Sequence, residues 1–139
     1  MREPADANRP WSARLYTAFV HVGKALRYSL RGLSTGAKSS LAFRQEILVL
    51  VVLCALLALT GKSPGQWLLG VGCWLSVMVG ELFNTAIEET LDLITRDFSL
   101  GVQYAKDMAS AAVFLLVLFN VGLWLHLFGR DALSLLGMM

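Results

Sequence analysis

The chain has 139 residues, of which 56% are hydrophobic and 16% charged, with a formal net charge of +2 and a mean hydropathy of +0.61. This length predicts one domain, and so apolar a composition argues against an ordinary soluble domain and for a membrane protein. A soluble bundle with three buried helices is disfavoured because so short a chain has too little polar helix surface to cover them.

Residues 1–12 are polar with two prolines and are expected to form a flexible N-terminus. From about 13 to 38, Leu15, Phe19, Val22, Leu26, Leu30 and Leu33 recur at helical steps among Arg14, Lys24, Arg27, Arg31 and Lys38. This pattern predicts a basic amphipathic helix lying in the membrane interface.

Three segments then approach the roughly 20 apolar residues needed to cross a bilayer. The first runs from about 41 to 60, with Arg44, Gln45 and Glu46 near its start. GKSPGQ follows as a short turn, because Gly61, Pro64 and Gly65 oppose helix continuation. The second span begins at Trp67 and is expected to pass the membrane boundary, ending near 95. Residues 96–107, RDFSLGVQYAKD, are read as the one substantial loop between helices. The third span covers about 108 to 128 and carries no formal charge, leaving 131–139 as a C-terminal tail.

Eight of the twelve basic residues precede or open the first span: Arg2, Arg9, Arg14, Lys24, Arg27, Arg31, Lys38 and Arg44. Only Lys62 lies between spans one and two, Arg96 and Lys106 follow span two, and Arg130 follows span three. The positive-inside rule then puts the N-terminal region and the 88–107 segment in the cytoplasm. No secretory signal is expected, since the first apolar run starts beyond residue 40 and lacks a small-residue cleavage pattern. Cys54 and Cys73 both lie mid-span and are expected to be packed free thiols.

The polar stretch ELFNTAIEETLD, residues 81–92, closes the second apolar run. At 100° per residue, Asn84, Glu88 and Asp92 lie at about −60°, −20° and +20° from Glu81, forming one stripe. Glu89 falls off its centre, where solvation alone accounts for it. Ionisable residues near membrane depth are costly and default to function, although Asp92 also suits a simple interfacial carboxylate. Carboxylates and an amide on one face suit a hard cation such as Mg²⁺, and a carboxylate off the metal suits proton acceptance from a hydroxyl. Lys106 offers a point charge for phosphate and Asp107 another acceptor, a set compatible with phosphoryl transfer. No GxxxxGK[ST] loop and no protein-kinase HRD and DFG set is present.

Glu81-Leu-Phe-Asn84-Thr-Ala-Ile-Glu88, Asp92 one turn on, and Ala105-Lys106-Asp107-Met-Ala-Ser110-Ala-Ala-Val resemble the signature of the prokaryotic diacylglycerol kinase family, which includes undecaprenol kinases. Tyr28-Ser-Leu-Arg-Gly-Leu33 and Ala42-Phe-Arg44-Gln-Glu46 resemble its N-terminal motifs. The resemblance implies an all-α membrane protein with an interfacial amphipathic helix and three transmembrane helices, assembled as a homotrimer with sites composed between subunits. It implies transfer of the γ-phosphate of ATP, with Mg²⁺, to the hydroxyl of diacylglycerol at the cytoplasmic face of a bacterial inner membrane, giving phosphatidic acid. By the same resemblance Glu81 is the catalytic base and Glu88 a metal ligand. Nucleotide contacts fall on Tyr28, Glu88, Asp97, Lys106, Asp107 and His21, and substrate-binding positions on Arg44, Glu46, Asn84 and Ser110.

The chain departs from the family pattern in three places. Ser40 stands where a second metal-binding glutamate is usual and is carried over as a metal position. His21 replaces an arginine that commonly contacts the substrates. Asp97-Phe98-Ser99 replaces glutamate-x-histidine. The alternatives are an undecaprenol kinase, or a non-catalytic trimeric lipid-binding protein of the same fold, which the change at Ser40 favours.

Overall fold

The computed structural model describes residues 10–95, 97, 99–135 and 137. Among them the chain forms four α-helices and no strand: α1 (Trp11–Ser39), α2 (Leu41–Leu59), α3 (Pro64–Ile94) and α4 (Leu100–Leu135). Residues 1–9, with Arg2 and Arg9, lie outside the described residues, as do Arg96 and Phe98. The chain divides into two compact units, Met1–Ser39 and Ser40–Met139.

The first unit is α1. Its recurring apolar side chains Leu15, Phe19, Val22, Leu26, Leu30 and Leu33 are all exposed, interspersed with the exposed cations Lys24, Arg27, Arg31 and Lys38. An uncovered apolar stripe flanked by cations is the pattern of a helix that rests in a membrane interface.

The second unit contains three helices long and apolar enough to cross a membrane, Leu41–Leu59, Pro64–Ile94 and Leu100–Gly129. Helix α3 packs against both α2 and α4. Its core joins Phe43, Leu53 and Leu57 of α2 to Trp74, Val77 and Met78 of α3 and Leu127 of α4. Between helices in lipid, close packing and polar contacts drive association, because the surrounding tails are as apolar as the core. Small residues make the approach possible. A Cβ on Gly80 would lie 2.7 Å from Leu116 Cδ1, so the Leu116 side chain of α4 occupies the space beside α3 just before Glu81. Asn120 on α4, almost wholly buried, donates from Nδ2 to the carbonyl oxygens of Cys73 (3.2 Å) and Leu116 (2.9 Å). Trp74 donates from Nε1 to the Glu46 carbonyl oxygen at 2.9 Å and faces Trp124 with ring centroids 5.0 Å apart. Cys54 and Cys73 are free and half-buried.

The α2–α3 turn ends one helix and starts the next with separate devices. Gly61 has φ +60°, and the N–H groups of Gly61 and Lys62 return to the carbonyls of Ala58 and Leu57 at 3.2 and 3.1 Å. That pair of bonds is a Schellman closure, which needs the left-handed residue glycine supplies. Ser63 then caps α3, accepting from Gln66 N–H at 3.4 Å while Gln66 Oε1 accepts from Ser63 N–H at 2.9 Å. Pro64 occupies the first helical turn, where its missing N–H is not needed. Lys62 also pairs with Asp131 of α4 at 2.6 Å and lies 5.3 Å from the Phe128 ring centroid.

The second and third spans differ from expectation at their ends. Helix α3 begins at Pro64 rather than Trp67, because the Ser63 cap makes the first polar turn helical. Helix α4 begins at Leu100 rather than Met108, so most of the expected 96–107 loop is helix. It also continues to Leu135, making residues 131–135 helical where a tail was expected. Apolar length locates a membrane crossing, but a helix continues beyond it as long as its backbone bonds and neighbours allow.

Candidate active site

The acidic stripe of α3 is graded in burial. Glu81, toward the middle of the helix, is buried at 6% exposure, while Asn84 and Glu88 are half-buried. The Asp92 side chain is 62% exposed. One helical face thus leads outward from the bundle interior.

Glu81 is held by two hydroxyl groups on the same oxygen. Ser40 Oγ donates to Oε1 at 2.8 Å and Thr85 Oγ1 donates to it at 3.3 Å. Among the described residues no hydrogen bond reaches Oε2. Ser40 is itself buried and serves as the N-cap of α2, accepting from Phe43 N–H at 3.0 Å. Cap residues adopt extended backbone and turn the side-chain oxygen toward the free N–H groups of the first turn; Ser40 does so at φ −98° and ψ 123°. Glu46, on α2, is buried like Ser40 and Glu81, and its Oε2 has no hydrogen-bond partner. The Glu46 and Glu81 carboxyl groups are close enough to interact electrostatically.

Farther out, Asn84 Nδ2 donates to Glu88 Oε1 at 3.2 Å, and Asn84 Oδ1 is buried without a partner. Lys106 of α4 pairs with Asp92 at 2.6 Å across the α3–α4 connection. The Asp97 N–H donates to Thr95 Oγ1 at 3.1 Å, on the exposed connection itself. Arg44 on α2 and Asp107 and Ser110 on α4 are exposed. His21 and Tyr28 belong to α1 and are exposed there.

The structure therefore joins Ser40 to Glu81, with Glu46 within electrostatic reach, and farther along α3 it joins Asn84 to Glu88 and Asp92 to Lys106. Among the described residues no three His, Cys, Asp or Glu side chains form a metal-binding group. The oxygens whose chemistry would suit a hard cation are those of the Glu88 carboxylate and the orphaned Asn84 Oδ1, and such a cation would draw its other ligands from water and phosphate. Sequence reasoning missed Thr85, although its i+4 spacing from Glu81 places it on the same face. It also missed the Ser40 contact, which joins residues 41 positions apart and leaves no local trace.

Three membrane-length helices, two of which carry a buried carboxylate, Glu46 on α2 and Glu81 on α3, define a helical membrane protein with acidic groups buried between its spans. The chain belongs to the prokaryotic diacylglycerol kinase family, whose family model matches residues 27–128. It is 40% identical over 119 residues to a diacylglycerol kinase of Helicobacter pylori, covering 84% of this chain and 88% of that protein. Over 111 residues it is 33% identical to a diacylglycerol kinase of Escherichia coli K12, covering 78% and 88% respectively. A Haemophilus influenzae diacylglycerol kinase is 33% identical over 99 residues, covering 71% and 84%.

Proposed function

We propose that this protein is a diacylglycerol kinase that transfers the γ-phosphate of ATP to the lipid hydroxyl, forming phosphatidic acid, with Glu81 as general base. The observation that carries this reading is a buried glutamate with one oxygen fastened and the other unbonded among the described residues, on a stripe leading outward to Glu88. Membership of the family and the relatives' names support the substrate.

In this mechanism Glu81 Oε2 accepts the hydroxyl proton as the lipid oxygen attacks the γ-phosphorus. The new P–O bond forms while the bond from the γ-phosphorus to the β–γ bridging oxygen breaks, and ADP leaves with that electron pair. The proton stays on Glu81 until water removes it. Glu46, whose Oε2 is buried without a hydrogen-bond partner, is proposed as a substrate-binding position on the strength of the family pattern. Mg²⁺, when bound, neutralises charge on the β- and γ-phosphates, and Glu88 and Asn84 would hold it. Lys106, released from Asp92, places its ammonium on the nucleotide phosphates, with Asp107 beside it. Tyr28, His21 and Asp97 are proposed as further nucleotide contacts, and Arg44 and Ser110 as substrate contacts, on the strength of the family pattern.

The clustering of cations before α2 supports an inner-membrane protein whose acidic stripe opens at the cytoplasmic face. A homotrimer is the assembly proposed from the same family pattern. The test is an assay of purified protein with labelled ATP, Mg²⁺ and mixed micelles containing diacylglycerol or undecaprenol. Labelled phosphatidic acid is expected; label on undecaprenol alone, or on neither lipid, overturns the proposal. Glu81→Gln is expected to lower kcat by about 10²- to 10⁴-fold, the range of a lost general base.

A further inference from the structure

We infer that Ser40 is a positioning residue for Glu81 and not a ligand to the metal. The inference rests on the proposed role of Glu81 and deepens it. A serine hydroxyl has one hydrogen and two lone pairs. In this structure the hydrogen goes to Glu81 Oε1 at 2.8 Å and one lone pair receives Phe43 N–H at 3.0 Å. Both commitments are made in a buried setting, with Ser40 8% and Glu81 6% exposed, where an unmade hydrogen bond is costly. The oxygens suited to a cation, Asn84 Oδ1 and the Glu88 carboxylate, lie farther along α3, about one and two turns beyond Glu81 respectively.

The geometry also holds the carboxylate in place. Ser40 reaches Oε1 from α2 and Thr85 reaches it from α3, so the carboxylate is fastened from two helices on one oxygen. Whichever oxygen takes that place, the carboxylate plane is held and the other oxygen, here Oε2, is left without a hydrogen bond among the described residues. Because the same hydroxyl caps α2, Ser40 is fixed by backbone geometry before it fixes Glu81.

The test compares Ser40→Gly, Ser40→Thr and Ser40→Glu with the parent and with Ser39→Ala, whose hydroxyl donates to Thr35 O within α1. Glycine is a tolerated N-cap, so Ser40→Gly removes the donor while sparing the helix. Expected for Ser40→Gly is a fall of about tenfold in kcat, the scale of one charge-assisted hydrogen bond. The KM values for ATP and diacylglycerol and the half-saturating Mg²⁺ concentration are expected to stay unchanged. Threonine, which keeps the hydroxyl, should restore kcat to within about twofold, and Ser39→Ala should match the parent.

An unchanged kcat in Ser40→Gly overturns the inference. So does a raised Mg²⁺ requirement with kcat preserved at saturating metal, or a Ser40→Glu variant with higher turnover, since either marks a metal ligand. The second readout is the side-chain carboxyl ¹³C resonance of Glu81 in labelled protein, assigned by its loss in Glu81→Gln. It is expected to move in Ser40→Gly and hold in Ser40→Thr; a resonance indifferent to Ser40 also overturns the inference. A parent with no kinase activity defeats the functional reading, and the resonance alone then decides whether Ser40 holds Glu81.

Discussion

Glu88 and Asn84 make the sharpest residue-scale claim, because Asn84 Oδ1 is a buried acceptor with no protein donor. A buried acceptor left alone is destabilising unless something completes it, and a cation beside Glu88 would. Asn84→Ala is expected to raise the Mg²⁺ concentration for half-maximal activity by about tenfold, on the scale seen when a metal site loses a supporting group. Glu88→Gln should raise it further, and chelation of divalent cations should abolish turnover in the parent, all measured in the same micelle assay. These residues were legible in the sequence because i, i+3, i+7 and i+11 on a helix define a face without any tertiary information. Ser40 was legible only as a deviation. Its role depends on α2 starting beside the middle of α3, a tertiary fact that no local pattern encodes.

At the scale of elements, the α2–α3 turn and the α3–α4 approach carry different kinds of energy. The turn is local: Gly61→Ala forces a side chain into the left-handed region and is expected to cost about 1 kcal/mol. Ser63→Ala removes the cap and should also cost about 1 kcal/mol. Both are read as lowered midpoints in detergent-denaturation curves, with kcat preserved in the fraction that remains folded. The approach at Gly80 is tertiary. A methyl there meets the end of the Leu116 side chain, which can yield, so Gly80→Ala is expected to cost about 1 kcal/mol or slightly more. Combining it with Leu116→Val should cost less than the sum of the two single changes, a coupling that a double-mutant cycle reveals. The turn was legible from Gly61, Pro64 and Gly65. The early start of α4 was not, because Gln103, Lys106 and Asp107 are polar residues that helices and loops accommodate alike.

For the whole molecule, the asymmetry of cations gives a direct test of orientation. In a background with Cys54 and Cys73 replaced by serine, Asp97→Cys is expected to react with an impermeant maleimide in inverted vesicles and to be protected in intact cells. Gly65→Cys should show the reverse. Labelling of both from one side would contradict the proposed topology. The three spans were legible from apolar length alone, since few other arrangements satisfy every backbone polar group in lipid. What composition left open was how far α3 and α4 extend past the apolar layer, which hydropathy does not measure.

The burial gradient along α3 has a consequence for which lipids can react. Glu81 and Glu88 are seven residues apart, about 10 Å along the helix axis, with the proposed proton acceptor on the more buried side. On the proposed mechanism the stripe would act as a depth gauge. On that mechanism, an alcohol whose hydroxyl sits flush with its acyl ester linkages would meet Glu81 without submerging a headgroup. A lipid whose nearest hydroxyl is carried on a large charged headgroup would have to submerge that headgroup to reach it. Selectivity for a nearly headless lipid would follow from altitude alone, before any contact recognises its shape.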